Sequence, residues 1–168
     1  MELEQMILEE HSKTQRDKII AYIGTDQKRF DELVNLFLHG EYRITQRAGW
    51  PLSYIGIEQP NMIKKHLPKI IENLRRPNLH NAIKRNTVRL LQEIDIPSNL
   101  QGIVMDLCFN FIESPTEAVA IKAFSLSILH NLSKKYPDII PEIKLIVTAR
   151  WEHETAAFKS RARKYFSN

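Results

Sequence analysis

The sequence is poor in the residues that build disulfide-bonded or β-rich proteins. Its 168 residues include one cysteine and five glycines. A single cysteine cannot form an internal disulfide, and Cys108 lies in an apolar stripe, which predicts a small core residue rather than a nucleophile. Because β-rich folds use many glycines in their turns, the scarcity of glycine favours a helical chain.

Long apolar segments are also missing. No stretch contains 18 uninterrupted apolar residues, so we expect no membrane-spanning helix. The first residues, MELEQMILEEHSK, are acidic and lack the basic start and the apolar stretch of a signal peptide. With 43% hydrophobic and 26% charged residues, the composition is that of a folded globular chain. These features predict a cytoplasmic protein that does not bind membranes.

The motifs that carry catalysis or hold cofactors are absent as well. The sequence contains no glycine-rich phosphate loop, no G-x-S-x-G, no H-E-x-x-H and no paired cysteine ligands. Its six histidines are scattered and show no metal-ligand spacing. We therefore predict no catalytic residues, no metal site and no cofactor, and we expect that the protein is not an enzyme.

A repeated two-residue motif is the strongest signal that the sequence does contain. A basic residue followed by a small or short polar one recurs in steps of 38, 37 and 37 residues, beginning at Arg47, Arg85, Lys122 and Lys159. Each copy lies near the start of a segment whose apolar residues recur at helical spacing. A repeat of this length is typical of stacked helical pairs.

The prolines repeat with nearly the same step. Three are spaced 37 and 40 residues apart, and two others are 38 apart: Pro60, Pro97 and Pro137, then Pro77 and Pro115. Proline lacks an N–H and disfavours helix in the residue before it, so these positions separate helices. Pro51 alone falls inside a predicted helix, which it should kink rather than end, because apolar positions continue beyond it.

Residues 1–40 have the length of one helical pair but lack the basic motif. The pattern predicts a helix over about 13–23, followed by an amphipathic helix with Thr25 as N-cap and Gly40 as the C′ glycine. A terminal repeat has one face in water and is often atypical. The acidic composition of this segment therefore suits a cap.

The third copy, SPTEAVAIKAFSLSILHNLSKKYPDIIPEIKLI, resembles the HEAT-repeat family: a turn proline, a first helix with the basic-small pair, a second turn and an apolar second helix. The resemblance covers about residues 41–166. It implies an all-α fold, a right-handed α-α superhelix of about four helical pairs plus a terminal helix, whose second helices line the concave side. We predict one domain over 1–168, with 1–40 as the capping pair and 41–166 as HEAT-like repeats.

Charge is distributed unevenly. Residues 1–40 hold five basic and eight acidic side chains, a net charge of −3, so the remainder carries +7 within the total of +4. Four of these positive charges lie in residues 159–164, which either bind an anionic partner or form a solvated helix end. The repeated basic motif also has two readings. The aliphatic parts of its basic side chains could pack against a neighbouring repeat, or their charges could form a row that contacts phosphates.

A solenoid presents one continuous face, so we predict a non-catalytic scaffold for protein–protein interaction that holds a protein or peptide segment on its concave face. The exposed basic contacts predicted there are Lys64, Lys65, Lys69, Lys144 and Arg150. The alternative is a nucleic-acid-binding protein related to solenoids of the DNA-alkylation-repair type. Phosphate binding along a groove needs a row of cations, and the predicted helix over 98–113 interrupts that row because it has no basic residue.

Overall fold

A computed structural model describes residues 2–167 of the chain. Within them the regular structure is helical and contains no strand, which confirms the all-α prediction. No helix in this range is long and apolar enough to cross a membrane. The chain divides into two compact units, residues 1–90 and 91–168. The organisation as one repeat domain stays a prediction.

The first unit is built around one long helix. Its elements are α1 (Glu2–Glu9), α2 (Lys13–Ile23), α3 (Gln27–His39), α4 (Tyr42–Glu58), α5 (Pro60–Ile63), α6 (Leu67–Asn73) and most of α7 (Asn81–Glu93). Helices α1, α2, α3 and α5 all pack against α4. The centre of the core contains Phe30, Leu33 and Phe37 from α3 and Leu52 and Ile55 from α4, each at most 1% exposed. These apolar residues recur every three or four positions, so one face of each helix is buried.

The second unit contains α8 (Ser98–Glu113), α9 (Val119–Ser133), α10 (Ile140–Arg150) and α11 (Ala156–Phe166), with 3-10 turns over Pro137–Ile139 and Trp151–His153. Helix α9 packs against both α8 and α11, and α10 packs against the same two helices. Accordingly, Ile121, Leu126, Ile128 and Leu129 of α9 are fully buried. A helix that is apolar on two sides is what a position between two neighbours requires.

The order of the helices follows the predicted repeat. In chain order, α2 is followed by α3, α4 by α5 and α6, α7 by α8, and α9 by α10, and α11 is the last described helix. The motif residues Arg47, Arg85, Lys122 and Lys159 lie in α4, α7, α9 and α11, near the start of each. Pro51 lies inside α4, which continues to Glu58.

One element was not predicted from the sequence. Helix α1 has Leu3 and Ile7 one turn apart, and these two residues bury its inner face. Residues 61–75 form α5, a 3-10 turn over Lys64–His66, and α6, where Pro68 lies in the first turn. Pro68 has no N–H to bond the carbonyl of Lys64, and the Leu67 N–H bonds that carbonyl with the tighter 3-10 geometry.

The ends of α3 also differ in detail. Asp26, not Thr25, is the N-cap, and its carboxylate accepts hydrogen bonds from the N–H groups of Lys28 and Arg29. Gly40 ends the helix with a φ of −67°, so it does not have the left-handed conformation typical of a C′ glycine. Glycine is needed at position 40 because the backbone passes close to the end of α3. A Cβ there would lie 2.5 Å from the carbonyl oxygen of Leu36.

Candidate functional site

A cavity of about 1000 Å³ lies in the first unit, where the turn between α3 and α4 meets the chain that joins α6 to α7. We call it the basic groove. Its apolar lining includes Phe37, Leu38, Leu79 and Ile83, which are buried or half-buried. A cavity that combines apolar lining with a few polar groups is the usual form of a binding site.

Positive charge surrounds this apolar lining. Lys69 on α6 and Arg75 and Arg76 in the following loop all line the groove, and Glu72 is the one carboxylate among its lining residues. Glu72 accepts from Arg75 at 3.2 Å, but both side chains are more than half exposed, so this ion pair is weak. With neutral histidines, the lining therefore carries a formal charge of +2, from three cations and one anion.

An exposed aromatic residue stands at the mouth of the groove. Tyr42 is 67% exposed, and its ring meets the edge of the His80 ring at a centroid distance of 5.4 Å. His80 is itself held in place, because its Nδ1 accepts a hydrogen bond of 3.0 Å from the N–H of Ala82 at the start of α7. Asn78 turns the loop with a φ of 61°, a conformation that asparagine adopts more readily than most residues.

The cations predicted as partner contacts have different surroundings. Lys69 lines the basic groove, and Lys64 is exposed on the preceding 3-10 turn. Lys65 forms an ion pair with Asp31 at 2.7 Å. In the second unit, Lys144 lines a small cavity between α10 and α11. Arg150 donates from Nε to Glu154 at 2.6 Å, and both side chains are less than one-fifth exposed, so this guanidinium already has a buried partner.

The repeated basic residues also differ from one another. Arg47 donates to the carbonyl oxygens of Ile7 and Leu8, at 3.3 and 3.0 Å, and so satisfies acceptors at the end of α1. Lys122 is 3% exposed and donates to the Ser114 carbonyl at 2.6 Å and to the Glu154 carboxylate. At these two positions the charge reaches a carbonyl or a carboxylate inside the fold.

The other two copies of the motif lie closer to solvent. The Lys159 ammonium lies 5.7 Å from the centre of the Trp151 ring, and Arg85 is exposed on α7. The motif therefore recurs near the start of α4, α7, α9 and α11 without giving its four basic residues one common environment.

A stack of cations and aromatic rings joins three helices of the first unit. The guanidinium carbons of Arg16 and Arg89 lie 4.1 and 4.5 Å from the centre of the Tyr54 ring, and Arg16 also lies 4.7 Å from Trp50. A hydrogen bond from Arg89 and the charges of Arg89 and Arg16 hold the pKa of Tyr54 below its usual value. Because these guanidinium groups already contact rings, they act as a joint between α2, α4 and α7.

Asp31 on α3 fastens the turn between α5 and α6. Its carboxylate accepts hydrogen bonds from Lys65 at 2.7 Å, His66 at 2.6 Å and Gln27 at 2.8 Å. Burial would raise the pKa of Asp31, but these hydrogen bonds outweigh it and lower the pKa from 3.8 to about 2. Since the folded-state pKa is the lower one, the stabilisation is present above about pH 4 and is lost as the pH falls towards 2.

We therefore expect that Asp31→Asn makes the unfolding free energy depend less steeply on pH below about pH 4. The wild-type chain should lose more unfolding free energy between pH 4 and pH 2 than the variant, because the variant has no carboxylate to protonate. Urea denaturation at a series of pH values measures this difference. Asp95→Asn, at an exposed position, is the control and should keep the wild-type slope. Parallel curves for wild type and Asp31→Asn would contradict the assignment.

Sequence reasoning missed three contributors to the basic groove, Tyr42, Arg75 and Arg76. The visible signal for two of them was the Arg75-Arg76-Pro77 triplet, which places adjacent cations beside a turn proline. Tyr42 carried no local signal, because its role depends on the loop that packs opposite. Across residues 2–167, no group of His, Cys, Asp and Glu has the arrangement to hold a metal ion.

Comparison with known proteins gives a family-level match. A family model described as a HEAT repeat domain matches residues 3–166. The match includes most of residues 1–40, which the sequence pattern set apart as an atypical cap. The comparison with curated proteins found no match, and neither did the comparison with solved structures.

Proposed function

Because this chain belongs to the HEAT-repeat family, whose helical repeats commonly serve as protein-interaction scaffolds, we propose that it is a non-catalytic interaction module. Its basic groove holds an acidic, extended segment of another protein. One observation carries this proposal: an apolar lining, three cations and the exposed Tyr42 share a single cavity of about 1000 Å³.

The size of the groove fits a peptide segment. Cavities that hold single small molecules run from about 300 to 1,000 Å³, so this one is large enough for several side chains. The apolar residues Phe37, Leu38 and Ile83 suit one bulky side chain of the partner. Of the predicted concave-face contacts, Lys69 is the one that would also touch this segment.

The charges define the partner further. Arg75 and Arg76 present planar guanidinium groups, which pair with carboxylates through two parallel hydrogen bonds. Exposed charges at a rim mainly raise the association rate and give selectivity for the opposite sign. Tyr42 supplies the exposed aromatic surface that often contributes most of the binding energy. An acidic segment with one large apolar residue satisfies all three features.

We expect the double variant Arg75→Glu/Arg76→Glu to weaken binding of such a peptide about tenfold or more, a loss of about 1.4 kcal/mol. Reversing both charges replaces attraction by repulsion at the rim. The probe is a fluorescent peptide of alternating Asp and Glu around a central Leu, and fluorescence polarisation near physiological salt measures its dissociation constant.

Lys18→Glu/Lys28→Glu is the matched control. It makes the same change in net charge at two exposed positions on α2 and α3, and it should leave the dissociation constant almost unchanged. Equal losses in both double variants would show that net charge alone attracts the peptide, and the proposal would fail. Steeply salt-dependent binding of generic duplex DNA, with no binding of the peptide, would favour the nucleic-acid alternative instead.

A further inference from the structure

We propose that His80 is a positioning residue of the basic groove and sets the size of the apolar side chain that the groove accepts. It does so by holding the ring of Tyr42, which stands at the mouth of the groove. This inference rests on the proposed function, in which an acidic segment with one large apolar residue occupies the groove. The contact between the two rings then decides which apolar residue fits.

His80 is fixed because it caps helix α7. Its carbonyl oxygen accepts a hydrogen bond from the N–H of Ile83 at 3.0 Å, and its Nδ1 accepts one from the N–H of Ala82 at 3.0 Å. These are the two bonds of an N-cap residue. The imidazole ring is therefore tied to the backbone at the start of a 13-residue helix before any partner binds.

Histidine is an uncommon residue for this position. Serine, threonine, aspartate and asparagine are the preferred N-cap residues, and each caps a helix with a short side chain. None of them has a ring that could contact the residue opposite. At position 80 the histidine caps the helix with one nitrogen and also presents an aromatic ring to Tyr42, which indicates a second role.

Tyr42 depends on this contact for its orientation. It is the first residue of α4 and is 67% exposed, so it lacks the close packing that fixes a buried side chain. Its ring lies 5.4 Å from the His80 ring, centre to centre, with 83° between the two planes. Edge-to-face geometry of this kind is a favoured arrangement of aromatic pairs. The hydrogen bond from Ala82 thus fixes His80, and His80 restrains Tyr42.

The loop that carries His80 is also held at its start. Asn73 is 6% exposed, and its side-chain oxygen accepts a hydrogen bond of 3.2 Å from Arg76. Both residues line the groove together with His80 and Tyr42. Groups that are ordered before binding lose less conformational freedom when a partner arrives. A restrained ring therefore favours a side chain long enough to pack against it, and alanine is too short to gain from that contact.

Two peptides measure this selection with the full chain. One is the peptide of alternating Asp and Glu around a central Leu, and the other has Ala in place of that Leu. Fluorescence polarisation near physiological salt gives both dissociation constants. We expect the wild-type chain to bind the Leu peptide at least about tenfold more tightly, because leucine has the larger apolar side chain to bury. His80→Asn should reduce this preference to about threefold or less and leave the affinity for the Ala peptide nearly unchanged, since asparagine keeps the cap but has no ring.

A double variant tests whether His80 acts through Tyr42. Tyr42→Ala alone should also reduce the preference for Leu, and Tyr42→Ala/His80→Asn should reduce it no further. Additive reductions would show that His80 contacts the segment by itself, and the inference would fail. His153→Asn is the matched control, because it makes the same substitution at an exposed histidine of the second unit. It should keep the wild-type preference, and circular dichroism verifies that every variant is folded.

The outcomes separate the role of His80 from the proposed function. If the wild-type chain binds neither peptide, both fail. If Arg75→Glu/Arg76→Glu weakens binding of the Leu peptide but His80→Asn keeps the wild-type preference, the proposed function stands and the role of His80 is refuted. Equal binding of the two peptides by the wild-type chain, or an equal loss of preference in His153→Asn, would also refute it.

Discussion

Replacing Glu154 by alanine should destabilise the second unit by about 3–5 kcal/mol, the range for removing one partner of a buried ion pair. The Glu154 side chain is 6% exposed, and its carboxylate accepts hydrogen bonds from Lys122 and Arg150. The Lys122 side chain is only 4% exposed. Without Glu154, its ammonium would keep the Ser114 carbonyl as a partner but would have no opposite charge in a buried environment.

A double variant distinguishes the cost of losing the ion pair from the cost of leaving the Lys122 ammonium buried without an opposite charge. Lys122→Met/Glu154→Leu should be much more stable than Glu154→Ala, because apolar residues of similar volume often replace a buried ion pair at little cost. Urea denaturation followed by circular dichroism measures the unfolding free energy of each variant. A loss below about 1 kcal/mol in Glu154→Ala, typical of exposed pairs, would contradict this account. So would strictly additive effects of the single substitutions at 122 and 154.

Gly40→Ala should destabilise the first unit by an amount near the upper end of the 1–3 kcal/mol range that is typical of overpacking. A Cβ at position 40 would lie 2.5 Å from the carbonyl oxygen of Leu36 and 2.8 Å from Cγ2 of Ile44. The carbonyl belongs to the backbone of α3, so it cannot rotate away as the end of a side chain could. The link between α3 and α4 would have to move, and with it one wall of the basic groove.

Gly102→Ala is the matched control and should have the opposite sign. Gly102 lies inside α8, is exposed, and has no atom within 4 Å of a Cβ built on it. Alanine there should stabilise the helix by about 0.5–1 kcal/mol, because glycine loses more backbone entropy on folding. Thermal or urea unfolding of both variants tests the pair. Similar effects of the two substitutions would show that close approach at Gly40 has no energetic role.

The sequence by itself determined most of the helices and their order, although α1 was not predicted. The apolar positions of α9 recur at helical spacing. Pro77 and Pro97 lie between helices and Pro60 is the first residue of α5, because proline cannot donate the backbone hydrogen bond that a helix interior needs. Helical spacing and proline positions depend only on a residue and its near neighbours in the sequence, so they can be predicted before the tertiary structure is known. The break at Lys64–His66 also follows from Pro68, a local cause.

Only the tertiary structure decided what each cation does. Arg150 and Lys144 look alike in the sequence, but Arg150 binds the buried Glu154 while Lys144 lines a cavity. Likewise Lys122 and Arg85 belong to the same motif, but one is buried and the other is exposed.

Tertiary packing also brought together the residues of the basic groove. Tyr42 meets His80, 38 positions later, only because the loops that begin α4 and α7 lie side by side. Local patterns specify which face of a helix is apolar. Whether a charge is paired, buried or free depends on which distant side chain packs opposite to it, and packing alone decides that.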